Sequence, residues 1–210
     1  SPLVRDAFPP ILEAARQMAA PQVRALATVG GNLASAVPCA DLPPILLVLG
    51  ATVEIYSGGQ RKTLPLDAFF TGPRRTVLAP RDLLTAVLVP PMGTGFGAAY
   101  ARFALREGNA IAVASVAASL RIKEKNILSE ARIALGAVAP VPLLARQAAN
   151  LLVDRPAEAD AFDAAAMLAM RAATPISDIR GSAGFRREIV GVLARRALNT
   201  AHLRARETLR

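Results

Sequence analysis

Three features of the 210-residue sequence predict an α+β fold in two unequal parts. Strand-like runs give way to helical ones, a Gly-Gly hairpin signal lies in the first half, and a Pro- and Gly-rich stretch at 90–97 separates two differently patterned regions. The expected division is 1–92 and 93–210, and a chain of this length can bury a sizeable core.

The elements follow in order. Pro9 and Pro10 open a helix in which Ile11, Leu12, Ala15 and Met18 recur at helical spacing, until Pro21 stops it. Residues 23–29 read as an extended approach to Gly30-Gly31. Asp41 is a natural N-cap for a short helix with Pro43 and Pro44 in its first turn and Gly50 at its end. Residues 53–57 and 60–64 flank Gly58-Gly59, a two-residue hairpin signal, and 83–89 form a further strand closed by Pro90-Pro91.

Beyond the boundary, 98–105, 110–122 and 127–137 read as a three-stranded antiparallel meander, with Lys123 to Asn126 as a polar turn. Helices take over at 143–153, 157–173 and 182–206, a helical bundle backing the sheet. In the last helix Phe185, Ile189, Val192 and Leu193 are expected to line one face, with the arginines pointing elsewhere.

Composition excludes several classes. The hydrophobic fraction is 53% and the mean hydropathy +0.36, yet the longest apolar run, 42–51, is about half of what a bilayer requires, so no membrane span is expected. One cysteine permits no internal disulfide, and with a single histidine it cannot build a Cys-rich metal site. No signal peptide is visible, and a cytoplasmic location is expected, with periplasmic export alongside a partner as the open alternative. The net charge of +9 raises nucleic acid as a partner. The bases are scattered, dense only at 186–210, and there is neither a zinc-finger spacing nor an aromatic RNA-binding motif, so no nucleic-acid role is expected. Cys39 has no neighbouring histidine or second thiol, and His202 has no acid-base partner; both read as structural, His202 at the surface.

The most informative stretch is 27–42. Small apolar residues lead into Gly30, Gly31 and Asn32, and Asp41 follows nine residues after Asn32. Glycine N–H groups without a Cβ suit close approach to a phosphate or flavin, and a tight turn needs the same freedom.

At full length the segment resembles the second flavin-binding loop of the FAD-binding subunits of molybdenum hydroxylases, the xanthine dehydrogenase and carbon monoxide dehydrogenase medium-subunit family. Thr28 to Asn32 matches the family's Thr/Ser-x-Gly-Gly-Asn, and Ala40-Asp41-Leu42 its Ala/Ser-Asp-Leu. Phe69-Phe70-Thr71-Gly72-Pro73-Arg74-Arg75-Thr76-Val77-Leu78 is similar to its Phe-Phe-x-Gly-x-Arg-x-Thr-x-Leu block, and Pro80 to Leu84 to Pro-x-Glu-Leu-Leu, with Asp82 for the usual Glu. Gly136 to Pro140 and Asp178 to Ala183 resemble two signatures of the family's C-terminal domain.

The resemblance implies the C-terminal part of a PCMH-type FAD-binding domain over 1–92, followed by a carbon monoxide dehydrogenase flavoprotein C-terminal-like domain. Family members carry an Ala-Gly-Gly-Thr-like loop in a preceding subdomain, and none occurs before Thr28. The expectation is a chain without that subdomain, which is either lost or held by a separate polypeptide.

The implied cofactor is FAD. Thr28, Gly30, Gly31 and Asn32 would meet its diphosphate, Asp41 would lie at the flavin site, and the Leu84 backbone would meet the pyrimidine edge. Arg102 would place a cation beside the ring, with Arg74 bracing the loop. No catalytic side chain and no metal ligand is implied in this chain. Electrons would pass from iron-sulfur clusters through FAD to an acceptor such as NAD or a quinone. The expected partners are a molybdopterin-binding large subunit and a ferredoxin-like iron-sulfur small subunit, which hold the molybdopterin and the clusters. The alternative is an assembly or scaffold element of the same complex that binds no flavin.

Overall fold

The computed structural model describes residues 1–209. Proline starts set the pattern at the N-terminus: helices α1 (Pro2–Ala7), α2 (Pro9–Gln17) and α3 (Pro21–Leu26) each begin on a residue whose missing N–H a first turn does not need. The extended approach expected at 23–29 is therefore corrected. Pro21 ends one helix and starts another, because a helix breaker at an interior position is a favoured first residue. The paired glycines lie in the first turn of a short helix, α4 (Val29–Ala34), rather than in an open loop.

Helix α5 (Leu42–Val48) is buried along its whole length. Such all-round apolarity marks a helix enclosed on every side. Gly50 ends it with φ +72°, its N–H bonding Leu47 O while that of Ala51 reaches Leu46 O, the paired pattern of a Schellman cap. Strands β1 (Thr52–Ser57) and β2 (Gln60–Pro65) form the expected hairpin, with Gly58 and Gly59 both at positive φ. The three-residue and two-residue strands β3 (Phe70–Gly72) and β4 (Arg75–Thr76) pair locally, and β5 (Leu83–Leu88) joins the free edge of β1, giving the order β2-β1-β5.

The second sheet runs β6-β7-β8-β9, built from β6 (Phe96–Phe103), β7 (Ala114–Ile122), β8 (Leu128–Gly136) and β9 (Leu143–Leu144), all antiparallel. Four strands replace the expected three. β9 is only two residues long, too short for any alternation to register, and residues 110–113 precede β7 instead of opening it. Helices α6 (Arg146–Leu152), α7 (Ala159–Ala172) and α8 (Ala183–Glu207) complete the chain.

This sheet is covered on both faces. Ala114, Val116, Ala118 and Leu120 of β7 point into the core shared with α8, while Ala117 meets α5 and the N-terminal elements, and the Ser119 hydroxyl donates to Val48 O at 2.8 Å. Gly97 of β6 permits close approach to α8, since a Cβ there would overlap the backbone at Ala201 and Ala205. The buried face of α8 is correspondingly small, with Ala194, Ala197, Ala201 and Ala205 alongside Val190, Leu193 and Leu198.

The expected face of α8 needs correction. Phe185 and Val192 are about 40% exposed, at 41% and 40%, whereas Arg186 is buried. Its guanidinium donates to Val113 O and Ala137 O and pairs with Asp178 at 2.6 Å. Burial of an arginine is sustained by such partners, which lie 73 and 49 residues away and leave no trace in helical periodicity.

Candidate cofactor site

The site is built around the start of α4. Thr28 is the N-cap, in an extended conformation, and its Oγ1 accepts from the Gly31 N–H at 2.9 Å. That bond commits the Gly31 N–H internally and leaves the N–H groups of Val29 and Gly30 as first-turn donors that the helix cannot satisfy. A Cβ added to Gly31 would meet Thr28 Oγ1 at 3.0 Å, and one on Gly30 would approach Leu84 Cδ2 at 3.9 Å. Leu84, half-buried on β5, is thereby placed against the glycine pair.

Asn32 carries the most telling atom. Its Nδ2 reaches Met18 Sδ at 3.4 Å, while its Oδ1 is buried and has no hydrogen-bond partner in the chain. Buried polar atoms are almost always paired, so an orphan beside exposed helix-start donors fits a site completed by a polar ligand.

A second cluster is tied to Gln17, the residue before Met18. Tyr100 donates its hydroxyl to Asp41 Oδ1 at 2.7 Å, and the Arg102 guanidinium stands 3.4 Å from the same oxygen. Arg102 also donates to Gln17 O and, at 2.6 Å, to Ala110 O. Asp41 and Tyr100 are each 6% exposed. The Asp41 side chain caps nothing, contrary to the sequence expectation, although the residue does occupy the N-cap position of α5. The carboxylate turns inward because two buried donors are available there. Burial pushes its pKa above the ordinary carboxylate range, opposed by the Tyr100 hydroxyl and Arg102. Tyr100 in turn is pushed well above the usual phenol value, first by burial and then by Asp41.

The bend after α2 joins the two clusters. Gln17 receives Arg102 and Met18 receives Asn32, while the Arg24 guanidinium donates to Met18 O at 2.5 Å. Behind the bend, a cavity of about 810 Å³ is lined by Arg16, Arg24, Arg102 and Arg106 among others. Arg74 braces the region through its main chain, its N–H bonding Ala36 O at 2.8 Å.

The remaining candidates stay structural. The Cys39 thiol is half-buried and its pKa is raised by burial and then by Asp41, which disfavours a thiolate. His202 is half-buried rather than at the surface: its Nε2 lies 2.7 Å from Asn126 Oδ1 and its ring meets Phe162 edge to face. Among the described residues no group of side chains could hold a metal ion, and no helix is long and apolar enough to cross a membrane. Sequence reasoning missed Tyr100 and Met18. Strand alternation offered a signal for Tyr100, which stands two residues before Arg102 and so shares its face of β6.

Two family models match the chain. Residues 1–92 match the FAD binding domain in molybdopterin dehydrogenase, and residues 98–201 the CO dehydrogenase flavoprotein C-terminal domain. The chain belongs to the FAD-binding medium-subunit family of the molybdopterin dehydrogenases. Within that family it is 34% identical to the carbon monoxide dehydrogenase medium chain of Hydrogenophaga pseudoflava, over 97% of this chain and 70% of the relative. It is 28% identical to the putative xanthine dehydrogenase FAD-binding subunit of Escherichia coli (strain K12), over 95% of this chain and 68% of that relative.

Solved structures agree with the family assignment. The carbon monoxide dehydrogenase of Hydrogenophaga pseudoflava superposes with a TM-score of 0.93 at 34% identity, covering 97% of this chain and 70% of that one. Quinoline 2-oxidoreductase from Pseudomonas putida 86 gives 0.88 at 28% identity, covering 100% and 71%. The α+β architecture of this medium-subunit family member is thus shared with enzymes of differently named substrates.

Proposed function

We propose that this chain supplies one wall of the FAD site in a molybdenum hydroxylase complex and positions the cofactor for electron transfer. The observation that carries the reading is the orphaned, buried Asn32 Oδ1 beside the open first turn of α4, in a chain whose relatives include subunits named for FAD binding. The Val29 and Gly30 N–H groups, the Thr28 hydroxyl proton and the Asn32 amide would hold the diphosphate, with Gly31 keeping the cap short. Backbone groups at Leu84 would meet the pyrimidine edge, and Asp41 and Arg102 would lie at the ring. Bound FAD supplies the redox chemistry, accepting electrons from iron-sulfur clusters and releasing them to an acceptor such as NAD or a quinone.

The chain itself contributes donors, a cation and exclusion of water. Residues 1–92 are assigned to this binding wall and 93–210 to the domain that closes it and meets partner subunits. Those partners are proposed to be a molybdopterin-binding large subunit and a ferredoxin-like iron-sulfur small subunit, in the cytoplasm. The relatives are longer than this chain, and the opposite wall of the site is proposed to come from a separate segment carrying an Ala-Gly-Gly-Thr-like loop.

The test is to purify the assembled complex, denature it and identify the released flavin. FAD in near-stoichiometric amount is expected. Its absence from a complete complex would overturn the reading and leave this chain an assembly element.

A further inference from the structure

Arg102 does not choose its own position. Its guanidinium is almost wholly buried, at 7% side-chain exposure, and is fixed by Gln17 O, Ala110 O and the Asp41 carboxylate. Asp41 is fixed in turn by the Tyr100 hydroxyl, and Ser115, buried on the neighbouring strand, faces the Tyr100 oxygen. Tyr100 and Arg102 are i and i+2 on β6, so both side chains reach one carboxylate from the same face of the sheet.

We propose that Tyr100 and Asp41 are positioning residues for Arg102, forming a buried phenol–carboxylate–guanidinium relay that sets how much positive charge the flavin ring experiences, and hence its reduction potential. The proposal rests on the FAD reading above. Its physical basis is the weak screening of charge in a buried site: an unpaired guanidinium favours the electron-rich form of a neighbouring ring, and a paired carboxylate offsets part of that field. Tyr100 is required because a buried carboxylate with one donor fewer takes up a proton more readily, which would remove the offset.

The relay also changes the role of Asp41. With Oδ1 shared between Tyr100 and Arg102, it acts on the flavin through the guanidinium. Arg102 keeps the contact with the bend after α2, whose next residue, Met18, touches Asn32. One short segment therefore registers the cation against the diphosphate end of the site.

The experiment compares Asp41→Asn, Tyr100→Phe and Arg102→Gln in the assembled complex, measuring FAD content and the flavin midpoint potential by spectroelectrochemistry. Asp41→Asn is expected to raise the potential, Tyr100→Phe to raise it by less, and Arg102→Gln to lower it, with FAD retained in the first two. Unchanged potentials in Asp41→Asn and Tyr100→Phe at full FAD content would overturn the proposal. Loss of FAD from both, with the thermal midpoint unchanged, would overturn it too, by making them binding residues.

Should Asp41→Asn not fold, Tyr100→Phe carries the test alone. A parent complex without flavin refutes the FAD reading instead, and is recognised before any variant is made. A flavin-independent measurement addresses the relay itself: peptide-resolved modification of Arg102 by phenylglyoxal should accelerate several-fold in Tyr100→Phe and Asp41→Asn. An unchanged rate would show that neither residue holds Arg102.

Discussion

Tyr100 Oη lies 2.7 Å from Asp41 Oδ1, joining residues 59 positions apart in a contact from which solvent is excluded. The Asp41 pKa is raised above its ordinary value of 3.8 by burial, so the folded state binds this proton more tightly than the unfolded chain does. That contribution to stability is fully present below the unfolded value and is lost as pH rises through the raised folded value. Relative to the parent, Asp41→Asn is therefore expected to lose its stability disadvantage, or gain an advantage, as pH increases from about 4 toward neutrality. Urea titrations across that range measure the trend, and parallel curves for parent and variant would remove Asp41 from it.

Asp178 acts with the opposite sign. The Arg180 backbone N–H, followed by Arg186, holds its carboxyl down to about 2. Its contribution is present above the ordinary carboxylate value and is lost as pH falls through the folded one. Asp178→Asn should flatten the acid limb of the stability profile between about pH 4 and pH 2, leaving the neutral side unaffected by titration of this group.

Arg186 is the other half of that arrangement. Replacing it by Met would leave the Val113 and Ala137 carbonyls without this donor and Asp178 without a charge partner. A loss of about 3 kcal/mol is expected from guanidinium denaturation. A loss below about 1 kcal/mol would mean that water replaces the side chain without penalty.

At the glycine pair, Gly31→Val places branched atoms where even a Cβ stands 3.0 Å from Thr28 Oγ1. The cap should open, and FAD recovered from the complex should fall at least several-fold while residues 93–210 stay folded. Asn32→Ala is expected to lower FAD content without a comparable loss of fold, because its Oδ1 has no partner in the chain and its Nδ2 meets only the weak acceptor Met18 Sδ. Undiminished flavin in both variants would take α4 out of the site.

Gly97→Ala tests the packing of the second sheet. A methyl group there overlaps the α8 backbone, and the expected cost is about 1–3 kcal/mol as the helix is pushed from β6. Equal denaturation midpoints for parent and variant would show that α8 can shift freely.

The features visible in the sequence are local ones. Gly58-Gly59 requires positive φ at two successive positions and gives the hairpin its turn, and Gly50 does the same at the end of α5. The family blocks around Thr28, Phe69, Gly136 and Asp178 likewise read off the chain, and with them the cofactor. Helix α3 was hidden because Pro21 serves equally as a stop and a start, and β9 because two residues carry no period. The inward turn of Asp41 was hidden for another reason: an N-cap residue satisfies local rules whether or not its side chain bonds the helix.

The sequence alone determined the family, the β1–β2 hairpin and the passage from strands to helices in the second half, and named the candidate residues Thr28, Gly30, Gly31, Asn32, Asp41, Leu84 and Arg102. The hairpin and the strand-to-helix order follow from short-range chemistry, while the candidate residues are what the resemblance of contiguous motifs to the family implies. Tertiary structure decided which of them meet. It orphaned Asn32 Oδ1, joined Arg102 to Asp41 through a tyrosine that no motif had singled out, and buried Arg186 among carbonyls from two distant segments. Those outcomes depend on which polar groups lose water together when separate elements pack, and the free energy of a buried charge is set by the partners it finds there.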